Sequence, residues 1–527
     1  MGRLHTFLFF VFAVVTTYAS ATLDIALIEF FLSTGNKLTA AQSAPAVFDK
    51  GEELLRTNYG SFMNVTGSRF YREDVTNCID MAPKALNWAA RYYYTQTTGN
   101  PVLAMLGPEC AVAATSLASL ATEWKIPMLM PNPGDPAFSN KRRYPTLTRI
   151  SPFLPDDVNQ VLYKILSGFG YDTVGILCDD TDDSGRTGRS PASSFVVPMC
   201  TSVFDTLRLN YNLSVSRFYI TGNDRRNTMH YLEEIRSIAR VVVIIAHGSR
   251  IRPIMLAASD AQMTNGDYVY FAFEPFRSPE MVGNITWRSD SSDGRDEDAR
   301  TAFRSLFKIS TRPEESPEYR NFTKELKRLT KEKYSYEYAT GEEVNPFTMA
   351  YYYALSIYGQ VLSEMATSGV GGNPRDGVEV SKRMRNRTFT ILGQDIFINA
   401  NGDRESDWVL SQPDDNGNFK PVMEYSARQR VLQPSRDPVD NSTRQIVWPN
   451  KRNSPPLNEP LCGYRGTKCV SGGGGDRNAF RVVVADVLQG TASRQQDSPI
   501  QSALNSTVNL IQQFSSVLNQ YRSIFHI

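Results

Sequence analysis

Histidine is scarce in this chain of 527 residues, which contains only four. His5 and His526 lie near the two ends, and no His-Glu-x-x-His sequence surrounds either of the others, although zinc enzymes need such closely spaced ligands. A Gly-x-Ser-x-Gly motif and a phosphate-binding glycine loop are missing too. The sequence therefore predicts that the chain is not an enzyme and needs no catalytic cofactor.

An excess of one charge and long apolar runs are also missing. The chain has 56 Lys and Arg against 55 Asp and Glu, a balance that argues against a nucleic-acid-binding surface. An apolar stretch at Phe7–Val15 is too short for a bilayer, which takes about 20 residues. Near the other end, Val482–Leu488 is shorter still and contains Asp486. The sequence therefore predicts no membrane span in this chain.

The leading segment has the composition of a secretory signal peptide. Arg3 precedes the apolar stretch, and Ala19–Ala21 supplies the small residues of a cleavage site. We assign residues 1–21 to a signal peptide, with a buried first strand or an uncleaved anchor as the alternative. Six cysteines and seven Asn-x-Ser/Thr sequons agree with an oxidising, glycosylating compartment. The sequons are at Asn64, Asn212, Asn284, Asn321, Asn386, Asn441 and Asn505.

Short apolar strands alternate with helical stretches along most of the chain. Leu23–Phe30 and Val102–Leu106 have strand character, and the pattern begins again at Thr173–Cys178 and continues to Asp267–Phe273. Helical patterns dominate residues 298–386. Apolar runs between helices are typical of parallel strands buried on both faces. The predicted fold class is α/β, with two lobes of parallel sheets flanked by helices and a ligand crevice at the carboxyl ends of the strands.

An acidic stretch, Asp179–Gly185, follows one of the predicted strands. It begins like a calcium loop, but Pro191 takes the place of the closing glutamate. We interpret it as an acidic turn at the crevice. Asp179 and Asp180 are therefore predicted to contribute to ligand binding.

The final part of the chain differs in composition. Residues 449–470 are rich in proline and contain Cys462 and Cys469, and the glycine run that follows is typical of a flexible linker. Pro499–Ile527 repeats apolar residues at 4-3 spacing, which predicts an amphipathic helix. This helix would either pair with a partner or dock on its own domain. Residues 471–527 are therefore interpreted as a linker and a helical tail.

A more specific pattern lies at Leu106–Pro131, with the sequence LGPECAVAATSLASLATEWKIPMLMP. It resembles the Gly-Pro-x-Cys helix in the ectodomains of receptor guanylate cyclases and natriuretic peptide receptors. Further stretches resemble successive pieces of the same ectodomain in the same order: GDYVYFAFEPF, SPEYRNFTKELKRLTKEKY, INANGDRESDWVLSQPDDNGNFKPVMEY and WPNKRNSPPLNEPLCGYRGTKC. The resemblance covers residues 22–470, and several long co-linear matches are more specific than any short motif.

The resemblance implies a two-lobed module of the type I periplasmic-binding-protein fold. Crossovers between the lobes are expected near 148–152, 273–276 and 388–393. They give a membrane-distal-type lobe of residues 22–150 plus 277–390 and a second lobe of residues 151–276 plus 391–448. Residues 449–470 resemble the juxtamembrane segment of the family. We expect this chain to lack the transmembrane helix of the family and the kinase-like and cyclase domains of its enzymatic members.

The resemblance also implies how the cysteines pair. Cys78–Cys110 matches the first disulfide loop of the family, and Cys462–Cys469 matches the juxtamembrane pair. Where vertebrate members place one cysteine of the middle bridge, this chain has Ala246. Cys178–Cys200 is therefore expected as a local replacement.

Site residues follow from the same resemblance. The family binds chloride at the Gly-Pro-x-Cys turn, where Glu109 and Cys110 would offer backbone N–H groups at a helix start; an ordinary helix start is the alternative. Asp80 matches an acidic ligand-binding position two residues past the first cysteine. Two residues past the second, where the peptide hormone receptors carry an aromatic residue, this chain has Val112. The predicted ligand site thus departs from the vertebrate pattern at that position.

These features predict an extracellular receptor-type domain that binds a peptide in the crevice between lobes or between two subunits. Two alternatives stay open: a soluble decoy, clearance protein or partner of a full-length receptor, and a secreted carrier of a small molecule. The resemblance implies a homodimer, or a heterodimer with a related receptor, with Ala121–Trp124 and the neighbouring Tyr92–Tyr94 at the contact. We expect secretion, or retention at the cell surface through a partner receptor.

Overall fold

Strands and helices alternate in the computed structural model of the chain, as the sequence predicts. Residues up to Gly466 form one compact unit, which contains all the elements given below, and Thr467–Ile527 form another, of which only residues 468 and 469 are described. The structure describes residues 22–30, 44–72, 74–75, 78–96, 99, 101–108, 110–131, 135–180, 191–220, 225–277, 282–289, 291, 293–338, 342–367, 371–449, 454–464, 466 and 468–469.

The first sheet is parallel and has five strands in the order β2-β1-β3-β4-β5. Its strands are β1 (Leu23–Phe30), β2 (Met63–Phe70), β3 (Val102–Leu106), β4 (Met128–Met130) and β5 (Leu147–Arg149). The helices among them are α1 (Ala44–Tyr59), α2 (Cys78–Arg91) and α3 (Ala111–Glu123). β1 is buried from Ile25 to Phe30, as expected of a parallel strand covered on both faces.

The second sheet begins with another parallel set. Its first strands are β6 (Thr173–Asp179), β7 (Ser214–Ile220), β8 (Val241–Ile245), β9 (Val269–Phe273) and β10 (Leu306–Thr311). The helices of this part are α4 (Pro155–Gly168), α5 (Pro191–Asp205), α6 (Arg225–Arg236), α7 (Gly248–Asp260) and α8 (Asp296–Phe303). β8 and β9 are buried along their whole length, which explains their uninterrupted apolar sequences.

The chain then returns to the first sheet. It forms α9 (Pro317–Tyr334), α10 (Pro346–Thr367), α11 (Gly377–Met384) and a small antiparallel sheet of β11 (Arg387–Ile391), β12 (Gln394–Ile398) and β13 (Arg404–Glu405). Tyr351 and Leu355 of α10 and Ile396 of β12 share one hydrophobic core with Leu27 of β1. These elements therefore belong to the first lobe.

Three antiparallel strands complete the second sheet: β14 (Trp408–Pro413), β15 (Phe419–Ser426) and β16 (Val431–Pro434). The full order is β16-β15-β14-β10-β9-β8-β6-β7. Trp408 lies in the core of the second lobe, and so does Trp448, whose ring centroid is 5.2 Å from that of Phe169 and 5.4 Å from that of Phe307. The chain around Trp448 is thus anchored on the second lobe.

Sheet membership places two of the three crossovers differently from the sequence prediction. β10 pairs with β9 in the second sheet, so the second crossover follows β10 rather than residues 273–276. β12 packs in the first core, so the third crossover follows β13 rather than residues 388–393. The predicted segments 277–390 and 391–448 accordingly become about 312–405 and 406–448. The first crossover lies between β5 and α4, close to the predicted 148–152.

The exposure of the sequons agrees with the glycosylated surface that the sequence predicts. Six sequon asparagines are exposed, and the seventh, Asn505, lies outside the described residues; glycosylation itself stays a prediction. The exposed six are Asn64, Asn212, Asn284, Asn321, Asn386 and Asn441. Within the described part of the chain, no helix combines the length and the apolar character that crossing a bilayer requires.

Candidate functional site

The carboxyl ends of the parallel strands form an edge in each lobe, where ligands bind in open α/β sheets. In the first lobe this edge includes Phe30, Leu106 and Arg149, the last residues of β1, β3 and β5. In the second lobe it includes Asp179 and Phe273, which end β6 and β9. The predicted site residues can be located against these two edges.

A disulfide joins two helix starts at the edge of the first lobe. Cys78 is the first residue of α2, and Cys110 directly precedes α3; the bond between them brings their Cα atoms to 5.3 Å and confirms the predicted pair. Asp80 and Val112 each lie two residues beyond a bonded cysteine. The structure therefore brings these two predicted ligand-binding residues to the same corner of the lobe.

The surface of this corner combines apolar side chains with one carboxylate. Ile79 is 79% exposed and Val112 is 60% exposed, and the side chain of Asp80 is exposed beside them. Tyr71, just after β2, is also exposed. Exposed apolar side chains next to a charge are a mark of binding surfaces. We call Tyr71, Ile79, Asp80 and Val112 the disulfide corner.

Packed aromatic rings support the disulfide corner from within. The ring of Phe70, at the end of β2, lies 5.7 Å from that of Phe30 and 5.7 Å from that of Tyr92, with Trp88 at 6.2 Å. These rings connect β1 and β2 with α2. Such contacts hold α2, and with it Asp80, in a fixed position relative to the sheet.

The predicted chloride turn has the backbone of a helix start. Cys110 is buried, its backbone is extended, and its own side chain makes no capping hydrogen bond to the first amides of α3. Gly107 has φ +82°, and a Cβ atom there would lie 2.9 Å from the carbonyl oxygen of Phe30, so the close approach of these strands needs glycine. Glu109 lies outside the described residues. Chloride binding at this turn stays a prediction.

The two predicted aspartates of the second lobe differ in exposure. Asp179 is buried, and its Oδ2 atom lies 3.6 Å from Nε of Arg250 on α7. Asp180 is exposed, and its backbone N–H donates to the carbonyl of Ile220. The acidic turn after it, residues 181–190, lies outside the described residues. Of the two, only Asp180 presents its side chain to solvent.

Sequence reasoning missed a second ion pair at the same edge. Glu274 directly follows β9 and is buried; its Oε2 accepts a hydrogen bond from the backbone N–H of Ile285 at 2.9 Å, and its Oε1 lies 3.2 Å from Nζ of Lys308 on β10. A signal was present, because a glutamate follows a strand of continuous apolar residues. Its partner could not be identified without knowing that β10 pairs with β9.

The remaining cysteines also pair. Cys178 of β6 is bonded to Cys200 of α5, as expected for the local replacement. Cys462 and Cys469 are both disulfide-bonded, and no cysteine is free. All six cysteines are therefore engaged, as the sequence predicts.

The segments expected at a dimer contact form an aromatic cluster. The rings of Tyr93 and Trp124 stack with centroids 4.1 Å apart and an angle of 1° between their planes. Tyr94 meets Trp124 edge to face at 5.8 Å and is 73% exposed. Ala121 is buried in the first lobe and contributes no surface.

Among the described residues, no group of three or more acidic, histidine or cysteine side chains is arranged to hold a metal ion.

Comparisons with known proteins agree with this architecture. Residues 15–415 match the family described as receptor family ligand binding region. The receptor-type guanylate cyclase gcy-28 of Caenorhabditis elegans is 28% identical over 377 residues, which are 65% of this chain and 29% of that protein. Atrial natriuretic peptide receptor 2 of Mus musculus is 27% identical over 369 residues, 68% of this chain and 33% of the receptor. Atrial natriuretic peptide receptor 3 of the same species is 28% identical over 326 residues, 60% of this chain and 56% of the receptor. The chain thus spans about a third of the first two relatives.

Proposed function

We propose that this chain, which belongs to the family of receptor ligand-binding regions, is an extracellular domain that binds a peptide at the disulfide corner. The observation that carries the proposal is the exposed set of Ile79, Val112 and Asp80 beside the Cys78–Cys110 bond. Two of the relatives are named as receptors of a peptide, atrial natriuretic peptide. The match itself concerns ligand binding and not catalysis.

The chemistry of the corner suits a peptide with basic and apolar side chains. Asp80 lies in the first turn of α2, where the helix dipole favours a negative charge. A charged hydrogen bond to it would contribute about 1.5–3 kcal/mol. Burying Ile79 or Val112 under a ligand would add about 1.5–3 kcal/mol for each side chain that is fully covered. A small polar metabolite would leave these apolar side chains in water.

The proposal covers both roles that such a domain can serve. A receptor that passes a signal on and a soluble decoy, clearance protein or partner of a full-length receptor all use the same binding surface. They differ in what the chain is attached to. Binding is therefore the property to establish first, and release into the medium or retention through a partner receptor is a separate measurement.

A secreted carrier of a small molecule is the second candidate. It is favoured by the charged groups at the edge of the second lobe, where Asp179 lies near Arg250 and Glu274 near Lys308. A zwitterionic ligand could exchange with such pairs. This function predicts binding that depends on Arg250 and is insensitive to changes at Asp80.

The experiment uses the full chain secreted from cultured cells and a phage-displayed library of linear and disulfide-closed peptides, with atrial natriuretic peptide as a defined probe. Enriched peptides should carry Arg or Lys, and Asp80→Asn should weaken their binding about 10-fold or more, which corresponds to the loss of one charged hydrogen bond. Val112→Ser should also weaken binding. The matched control is Asp24→Asn, which removes an exposed carboxylate at the amino end of β1, the opposite edge of the same sheet.

Two results would contradict peptide binding at the disulfide corner. One is a library that yields no peptide above background on a folded, secreted protein. The other is a set of peptides whose affinities fall equally with Asp80→Asn and Asp24→Asn. An Arg250→Met variant that alone abolishes binding of free amino acids would support the carrier instead.

Pairing of two subunits through the first lobe is part of the proposal. The stacked Tyr93 and Trp124 and the exposed Tyr94 supply aromatic surface of the kind enriched in protein interfaces. Light scattering of the deglycosylated full chain should give the mass of a dimer, and Tyr94→Ser should shift it towards the monomer. Leu209→Ser, at an equally exposed apolar residue of the second lobe, is the control. A monomer at tens of micromolar, with and without peptide, would contradict pairing.

A further inference from the structure

A polar cavity of about 320 Å³ lies where the two lobes meet. Asp157 and Asn159 line it from α4, the first helix of the second lobe, and Glu405 lines it from β13 of the first lobe. All three side chains are more than nine-tenths buried. A cavity of this size has room for a small organic molecule.

Each of these three residues has a buried oxygen that accepts no hydrogen bond from any described residue: Oδ2 of Asp157, Oδ1 of Asn159 and Oε2 of Glu405. The rest of the Asn159 side chain is fixed, because its Nδ2 atom donates to the hydroxyls of Ser202 at 2.9 Å and Thr206 at 3.0 Å. Buried polar atoms are nearly always paired, so unpaired acceptors on one cavity favour a ligand that donates hydrogen bonds.

The second oxygen of Glu405 is held in a similar way. Its Oε1 atom accepts hydrogen bonds from Asn399 at 2.7 Å and from Arg430 at 3.2 Å. Both donors also line the cavity. The carboxylate is therefore fixed, and its Oε2 atom accepts no hydrogen bond from the part of the chain that the structure describes.

The cations near the cavity are already engaged. Arg149 donates to both carboxylate oxygens of Asp403, at 2.7 and 2.9 Å, and Nζ of Lys141 lies 2.8 Å from the same carboxylate. Arg430 forms an ion pair with Glu405, with Nη2 of Arg430 3.2 Å from Oε1 of Glu405. Among the described residues, no lysine or arginine forms an ion pair with Asp157. A charge imbalance is thus left at the cavity.

The charged and titratable groups that act on Asp157 are the carboxylates of Asp156, Asp403 and Glu405, the guanidinium of Arg149 and the phenol of Tyr425; Arg430 and Tyr211 also line the cavity. Burial, followed by the charge of Glu405, raises the pKa of Asp157 well above its usual value. An external cation would relieve this repulsion.

We propose that the cavity binds a small organic cation through an ammonium group, which donates hydrogen bonds to Asp157 and Glu405. An ammonium group has donors and no acceptor, which matches the unpaired carboxylate oxygens of the cavity. A calcium ion takes six to eight oxygen ligands, and the described residues offer no such cluster. Because the acceptors come from both lobes, the bound cation favours one arrangement of the lobes over others. This inference does not depend on peptide binding at the disulfide corner.

The test is isothermal titration calorimetry of the full secreted chain with n-butylamine hydrochloride, with n-butanol as a neutral probe of the same shape. The amine should bind and the alcohol should not. Asp157→Asn keeps the shape of the side chain and should weaken amine binding at least 10-fold. Asp298→Asn, at an exposed residue of α8 that does not line the cavity, should change it less than threefold. Affinity should rise from pH 5 to pH 8 in the unchanged protein, because Asp157 must release its proton, and should be flat in Asp157→Asn.

Several results would contradict amine binding in the cavity. Equal binding of n-butylamine and n-butanol, or equal affinities in Asp157→Asn and the unchanged protein, would overturn the proposal. Calcium binding that Asp157→Asn abolishes, in a protein that does not bind the amine, would also overturn the proposal. Because Asp157→Asn removes a buried charge, we expect it to fold, and its circular dichroism spectrum and melting temperature check this. If it does not fold, Glu405→Gln is measured in its place, with the same expected loss of amine affinity.

Discussion

Asp403→Asn removes the carboxylate that joins two buried cations where the chain passes between the lobes. Asp403 precedes the third crossover and Arg149 precedes the first. Arg149 donates hydrogen bonds to both carboxylate oxygens of Asp403. Lys141 approaches the same carboxylate at 2.8 Å. A backbone hydrogen bond joins the same two segments, because the N–H of Arg149 donates to the carbonyl of Gly402 at 3.0 Å. Asparagine keeps the shape of the side chain but leaves both cations without an anion.

The expected destabilisation is about 3–5 kcal/mol, the usual effect of removing one partner from a buried ion pair. An ion pair at the surface serves for comparison: Nε of Arg295 lies 3.1 Å from Oδ2 of Asp298, and both side chains are partly exposed. Asp298→Asn should therefore lower the free energy of unfolding by less than about 1 kcal/mol. Burial tends to raise the pKa of Asp403, but Arg149 and Lys141 hold it below its usual value. The stabilisation by Asp403 is therefore present above the pKa of the unfolded chain and is lost as pH falls through the lower folded pKa.

The assay is urea unfolding of the full secreted chain at pH 7, combined with hydrogen exchange of peptides covering residues 399–405. Asp403→Asn should lower the unfolding midpoint and speed exchange in that segment, and Asp298→Asn should do neither. A double-mutant cycle with Arg149→Met should give a coupling above about 1 kcal/mol. Equal effects of Asp403→Asn and Asp298→Asn, or additive effects of the Asp403 and Arg149 changes, would refute the reasoning.

Three further predictions concern the first lobe and the surface. Changing both Cys78 and Cys110 to serine should destabilise the chain by about 3.7 kcal/mol, which is the chain-entropy estimate for a separation of 32 residues. A urea midpoint within error of that of the unchanged protein would contradict this prediction. Replacing chloride with gluconate at constant ionic strength should lower the melting temperature if the turn at Cys110 holds chloride, and an unchanged value would leave that turn an ordinary helix start. Treatment of the secreted chain with an N-glycosidase should increase its gel mobility, and Asn64→Gln should remove one glycan; a single unshifted band would show that the exposed sequons are unused.

The sequence predicts strands well where burial alone defines them. β1 and β3 have the predicted bounds, because their predominantly apolar sequences indicate buried parallel strands without any knowledge of the neighbouring strands. β10 was missed within a stretch of helical patterns. Its sequence, Leu306–Thr311, is short and interrupted by Lys308, and its strand character comes from pairing with β9 on one side and β14 on the other. Missing this strand moved the second crossover about 35 residues too early.

The same contrast holds for the candidate sites. Asp80 and Val112 could be placed together, because each is tied by sequence to a cysteine whose pairing the family resemblance implies. The polar cavity between the lobes could not be predicted, because Asp157 and Glu405 lie on α4 and β13 and become neighbours only through the arrangement of the lobes. No local spacing connects an aspartate in the first turn of one helix with a glutamate in a two-residue strand.

The positions of the two proposed sites determine how they can communicate. The four residues of the disulfide corner all belong to the first lobe, so a peptide bound there shifts the lobes only if it also contacts the second lobe or another subunit. A cation in the polar cavity between the lobes contacts both lobes, because residues of both line it. If the peptide prefers one lobe arrangement, saturating n-butylamine must change the peptide affinity by the same factor by which the peptide changes the amine affinity. Unequal factors would show that the two measurements do not report one equilibrium, and a factor of one in both directions would show that peptide binding involves the first lobe alone.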